Sequence, residues 1–248
     1  MISSILQYST IDFRFLKANL NQLTKISDEV IIPICTSFFN GEPESKDLFE
    51  QSLEIIKLYT NTKIHLFDWN GPKCGPNYYH NLSRKIGTDI SKNDWLLFVD
   101  ADEIIDDNFN NWFDAHKNED TIFWFTCYWY FREPTLQSNT FEGAGLLTPK
   151  KYCNWNLEHW QERPQLLYNS NALDGYRNHF FGKDNLPLLH HYSWVRNKKD
   201  MLTKVNNWGH QHDRDWVSLV EEEFARPFNG TDFVHGYTYS TVENKFNL

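Results

Sequence analysis

Over the first 116 residues, short apolar runs alternate four times with amphipathic stretches, and that order leaves few folds open. Ser3 to Ser9 predicts a first strand, and Thr10-Ile11-Asp12 the turn that leaves it. Phe13, Leu16, Leu20 and Leu23 then recur at spacings of three and four, one face of a helix. Asp28 to Cys35 predicts a second strand, and Pro33 within it, lacking an N–H, points to an edge position or a bulge. Phe38 to Glu44 reads as a loop, and Ser45 as the cap of a helix carrying Phe49, Leu53 and Ile56. Thr62 to Trp69 predicts the third strand, Asn70-Gly71-Pro72 a turn, Tyr78 to Ile86 a helix, and Trp95 to Val99 the fourth strand. The expected fold is α/β, a doubly wound and mostly parallel sheet.

The fourth strand stops on acids: Val99-Asp100-Ala101-Asp102-Glu103. Successive strand side chains point to opposite faces, so Asp100 and Asp102 are expected on the same face with Ala101 turned away. The carboxyl end of a strand is where open α/β sheets bind ligands. Two carboxylates there repel each other, and a divalent cation removes the repulsion. Oxygen ligands suit Mg²⁺ or Mn²⁺, which keep positions open for substrate phosphates. The competing reading is a solvated cap on the helix Asp107 to His116. Strand, Asp-x-Asp, further acid and amphipathic helix taken together favour the metal.

That combined element resembles the metal-binding motif of GT-A fold glycosyltransferases, especially the family 2-like group, and the resemblance is closest over residues 1–116. Ser83-Arg84-Lys85-Ile86-Gly87 is similar to the Ala-Arg-Asn-x-Gly of the helix before that motif, Lys85 departing from Asn. Where the family often has a base-contacting Asp after the second strand, this chain has Cys35-Thr36-Ser37. The resemblance implies a nucleotide-sugar-binding half at 1–116 and an acceptor-binding half at 117–248 of one domain. It implies Asp100 at the ribose or a metal-bound water, Asp102 on the Mn²⁺ or Mg²⁺, and Arg84 among the donor-binding residues. It also implies a late histidine on the metal: His191, or failing it His190. Successive residues of an extended segment point opposite ways, so one of the two at most faces the donor. The nucleotide is expected over the first three strand ends, at Tyr8, Ser9, Thr10, Thr36 and Asp68, with Tyr8 stacking on the base.

Beyond residue 120 the periodicity is mixed. Thr121 to Phe131 reads as an aromatic strand and Leu146 to Lys150 as a short segment. Helices are expected around Met201, Val205 and Trp208, and around Trp216, Leu219, Val220 and Phe224. An inverting transfer needs a base on the acceptor side. Glu158 and Glu162 flank Trp160, and on a helix or a strand residues four apart share a face. Asp174, in an Asp-Gly turn, is the reserve.

A net charge of −9 argues against a nucleic-acid surface, and no apolar run approaches a membrane span. The four cysteines are scattered without Cys-x-x-Cys spacing and the start lacks a signal-peptide pattern, which reads as a reduced, cytoplasmic protein. The expected activity is transfer of a hexosyl or pentosyl group from a nucleoside-diphosphate sugar to a hydroxyl of a glycan or other acceptor. Two alternatives remain: a nucleotidyltransferase with similar metal chemistry, and a non-catalytic sugar-nucleotide-binding module. Phosphatases of the haloacid-dehalogenase type place their Asp-x-Asp near the N-terminus, whereas three βα units precede it here.

Overall fold

The computed structural model describes residues 1–68, 74–169 and 180–248, the side chain of Asn169 excepted. Its parallel half is β1 (Ile2–Gln7), α1 (Phe13–Ile26), β2 (Glu29–Cys35), α2 (Lys46–Ile56), β3 (Thr62–Phe67), α3 (Pro76–Ile90) and β4 (Trp95–Asp100). β1 pairs in parallel with both β2 and β4, and β3 adds in parallel to β2, giving the order β3-β2-β1-β4. The expected α/β class and its doubly wound half are present. These strands are rich in Ile, Val, Leu and Phe because both faces are covered; Ile5, Leu6, Ile31, Ile32, Leu97 and Phe98 are essentially inaccessible.

β2 is an interior strand, so Pro33 is at neither an edge nor a recorded bulge. Its tolerance has another cause. The β1–β2 pairing ends at Ile5↔Ile31, and Pro33 lies beyond it, where the two strands part. The Ser45 hydroxyl accepts from Leu48 N–H at 3.5 Å and caps α2 as expected.

The second half continues the same sheet. β5 (Glu103–Ile105) and α4 (Phe109–His116) precede β6 (Phe123–Phe131), β7 (Glu133–Ser138), β8 (Glu142–Pro149) and β9 (Leu189–Trp194). β8 inserts antiparallel between β4 and β6, while β9 runs parallel to β6 and antiparallel to β5. α5 (Lys198–Asn206), α6 (Trp216–Phe224) and β10 (Tyr239–Thr241) close the chain over a separate aromatic core around Trp194, Trp216 and Phe131. Among the described residues no helix is long and apolar enough to cross a membrane.

α3 approaches β1 closely at Gly87. A Cβ there would lie 2.5 Å from Cγ2 of Ile5, a β-branched side chain fixed in the core. Gly87→Ala is therefore expected to cost about 1–3 kcal/mol in urea unfolding, by overpacking. A neutral result would mean that α3 can lift from the sheet.

Candidate functional site

In the order β3-β2-β1-β4 the winding reverses between β1 and β4, and open α/β sheets bind ligands in the crevice at such a switch point. A cleft of about 260 Å³ opens there. Its lining includes Tyr8 and Ser9 from the end of β1, Pro33 from β2, and Asp100 and Asp102 from the end of β4. Glu162, Arg163, His191 and Lys204 also line it.

The strand ends at Asp100, and Ala101 and Asp102 form a turn. Asn19, buried on the inner face of α1, fixes that turn. Its side-chain N–H₂ donates to the carbonyls of Asp100 (3.1 Å), Ala101 (3.0 Å) and Glu103 (2.8 Å). Asp100 and Asp102 both line the cleft, but they meet different partners. Asp100 is half-buried and accepts from Arg84 Nη2 at 2.8 Å, with Arg163 Nη2 at 3.5 Å. Arg84 also donates to Glu162 at 2.5 Å. Arg163 makes a two-pronged pair with the inaccessible Glu103. Asp102 is buried among three cationic groups: Lys204 Nζ at 3.4 Å, His191 Nε2 at 3.5 Å and Arg196 Nη2 at 3.7 Å.

The electrostatics follow from these partners. Burial disfavours the Asp102 carboxylate, yet Lys204, His191 and Arg196 outweigh it and hold the group well below the usual carboxylate range. Burial likewise opposes the His191 charge, but Asp102 prevails and raises its pKa. At Glu162, His80 (2.7 Å) and Arg84 overcome desolvation and depress the carboxyl. A carboxylate so stabilised is a weak proton acceptor at rest. Burial raises the Glu44 carboxyl, although Thr10 donates to it through its backbone N–H (3.0 Å) and its hydroxyl.

Among the described residues no group of three or more His, Cys, Asp or Glu side chains is placed to hold a metal ion. Asp100, Asp102 and His191 therefore do not come together as a ligand set. The donor chemistry explains why: both carboxylates are already matched by fixed cations, and His191 Nε2 faces Asp102. As arranged, these residues do not fit a resident Mn²⁺ or Mg²⁺. His190, the fallback, is buried away from the cleft lining between the Tyr130 hydroxyl (2.7 Å) and Asp106 (3.1 Å).

The nucleotide residues are only partly gathered. Tyr8 and Ser9 line the cleft, but Tyr8 is buried with its hydroxyl 2.5 Å from Ser52 Oγ. Thr10, Thr36 and Asp68 are not in the cleft lining; Thr36 bonds to Asp68. The segment around Trp160 is a series of turns leading to a short 3-10 helix, Arg163–Asn169, so Glu158 and Glu162 do not share a face of one element. Glu158 is exposed and outside the lining, whereas Glu162 reaches it. Asp174 lies outside the described residues.

Sequence reasoning passed over Asn19, Arg196 and Lys204. The signal was present: Asn19 neighbours Leu16, Leu20 and Leu23 on their stripe, and Lys204 falls three after Met201 and four before Trp208. A polar side chain on an apolar stripe needs a buried partner.

No family model matches this chain, and no curated protein matches it. Residues 1–349 of S. aureus TarS are similar in structure at 13% identity, covering 91% of this chain and 72% of that one, with a TM-score of 0.46. The Pyrobaculum calidifontis mannosyltransferase PcManGT, solved with GDP-Man and Mn²⁺, matches at 8% identity over 61% and 45%, TM-score 0.40. A Bacillus anthracis protein described as a glucose-1-phosphate thymidylyltransferase matches at 10% identity over 61% and 73%, TM-score 0.39. With every TM-score here below 0.5, the site rests on the chain's own geometry.

Proposed function

We propose that this chain is a glycosyltransferase that binds a nucleoside-diphosphate sugar in the switch-point cleft and passes its sugar to an acceptor hydroxyl. The observation that carries the reading is the position of the cleft: it lies over the carboxyl ends of β1 and β4 and is walled by Asp100, Asp102 and Lys204. The nucleoside occupies the β1 side, beside Tyr8, Ser9 and Glu44, and the diphosphate lies over the β4 end. The acceptor enters from the side of Glu162 and His80. Its oxygen forms the new bond to the anomeric carbon as the bond to the diphosphate breaks, and the electron pair leaves with the nucleoside diphosphate. The acceptor proton passes to the Glu162 carboxylate, which the His80 ring holds in place at 2.7 Å. A depressed carboxyl takes that proton only when the developing oxonium is more acidic, so Glu162 acts late in the step.

The test is a panel of nucleoside-diphosphate sugars incubated with the chain and simple glycoside acceptors, products being resolved by mass spectrometry. Release of a nucleoside diphosphate with a glycosylated product is expected, and Glu162→Gln should slow it by about 10²-fold or more. Formation of nucleoside triphosphate and sugar 1-phosphate when pyrophosphate replaces the glycoside acceptor would instead make the chain a nucleotidyltransferase. Binding without any turnover across the panel would make it a non-catalytic module.

A further inference from the structure

The residues expected to hold a divalent ion are surrounded by charges of the ion's own sign. Lys204 and Arg196 face Asp102, and Arg84 and Arg163 face Asp100. These cations are built in, not flung across from the surface. Arg196 is inaccessible, pairs with Asp12, and donates to the carbonyls of Ile11 (2.5 Å) and Ser193 (3.0 Å). Arg84 is inaccessible and bridges Asp100 to Glu162. Arg163 is bound at both terminal nitrogens by Glu103. An ion placed at either carboxylate would first have to displace them.

Of the four permanently charged side chains, Lys204 and Arg163 line the cleft. Arg163 has its terminal donors committed to Glu103. Lys204 differs in two respects. Its ammonium has three donors, and among the described residues its recorded hydrogen bond is the one to Asp102. At 3.4 Å that contact is longer than the 2.7–2.9 Å of a close charge-assisted pair, so turning toward a second anion sacrifices little. The helix holds the rest of the side chain: α5 packs Met201 and Val205 into the aromatic core, and Trp208 lies beside Lys204 with its ring centroid 6.0 Å from Nζ. Asn207, Trp208 and His210 follow it into the cleft wall.

On the reading of the cleft as a nucleoside-diphosphate-sugar site, we propose that Lys204 is the counter-charge of the donor's diphosphate, so that donor binding requires no divalent cation. The ammonium hydrogen-bonds a diphosphate oxygen, and as the anomeric C–O bond breaks it stabilises the pair of electrons that the leaving group takes. Asp102 holds Lys204 on this side of the cleft between turnovers, and Arg196 keeps Asp102 in place.

Isothermal titration of the full chain with UDP, GDP, ADP and dTDP, first in EDTA and then in Mn²⁺, tests this. At least one diphosphate should bind in EDTA, with a Kd that changes by less than about threefold on adding Mn²⁺. Lys204→Met should weaken that binding roughly thirtyfold, the value of one charge-assisted hydrogen bond, and Lys204→Arg should recover part of it. Binding that appears only with Mn²⁺ overturns the inference and leaves the transferase reading standing. An unchanged Kd in a folded Lys204→Met, judged by its circular dichroism, also overturns it. Should Lys204→Met fail to fold, the comparison of EDTA with Mn²⁺ on the natural chain still decides. No binding of any of the four with or without the ion overturns both the inference and the reading beneath it.

Discussion

Replacing Arg163 with Met should cost the fold about 3–5 kcal/mol, because it strands a carboxylate that has no access to water. Glu103 is inaccessible, and Arg163 meets its two oxygens with two separate nitrogens. With Met in place, Glu103 retains the N–H of Asp100 at 2.9 Å, a neutral donor against a full charge. Asp100 would also lose the guanidinium 3.5 Å from it, though Arg84 remains. Burial works against the Arg163 charge, yet Asp100 and Glu103 outweigh it and raise its pKa, so the guanidinium keeps its charge. Urea unfolding gives the readout: a lower midpoint at unchanged slope. The double variant Arg163→Met, Glu103→Leu removes both charges at once and should regain most of the loss. A loss below about 1 kcal/mol in the single variant would show that Glu103 finds water or a proton instead.

The parallel half of the fold is legible in the sequence because short continuous apolar runs alternate with stretches of 3.6 period. The β1–α1–β2–α2–β3–α3–β4 order follows from that alternation, with Ser45 marking the start of α2. The second half is harder to read for a physical reason. Its strands pair over long separations: Trp95 faces Pro149 across β4 and β8, and Glu103 faces His191 across β5 and β9. No local period encodes such pairings. The three-residue β5 is too short to show alternation, and the Trp155 to Tyr168 segment is held by side-chain bonds, such as Asn156 N–H to Gln165 Oε1 at 2.9 Å, instead of by a ladder.

The candidate site shows the same division. The acids after β4 are visible in the sequence because a buried strand that ends on carboxylates breaks its own pattern. Their partners come from other elements: Arg84 from α3, Arg163 from beyond β8, and Lys204 from α5. An Asp-x-Asp read without those cations looks like an uncompensated pair in need of an ion. Read with them, it is a neutralised pair, and what a charge at the β4 end is for changes accordingly.

Asp102→Asn should therefore lower stability by about 3 kcal/mol near pH 6, with the loss shrinking toward both acid and alkaline pH. The substitution keeps the volume and leaves Lys204 and His191 without their carboxylate, while Arg196 keeps Asp12. Lys204, His191 and Arg196 hold the Asp102 carboxyl below its ordinary value despite burial. A depressed folded pKa contributes stability above the unfolded value, about 3.9, and that contribution is lost as the pH falls below it. His191 has the opposite sign. Its pKa is raised by Asp102 against desolvation, so its share is complete below the unfolded value of about 6.5 and fades as the pH rises through the folded one. The two windows overlap between roughly pH 4 and 6.5, which is where the natural chain and the variant should differ most. Urea unfolding of both at about pH 2.5, 6 and 9 measures the difference directly. A gap that stays constant over that range would mean that neither group's charge depends on the other, and that Asp102 serves here as a polar spacer and not as the anion at the centre of the cluster.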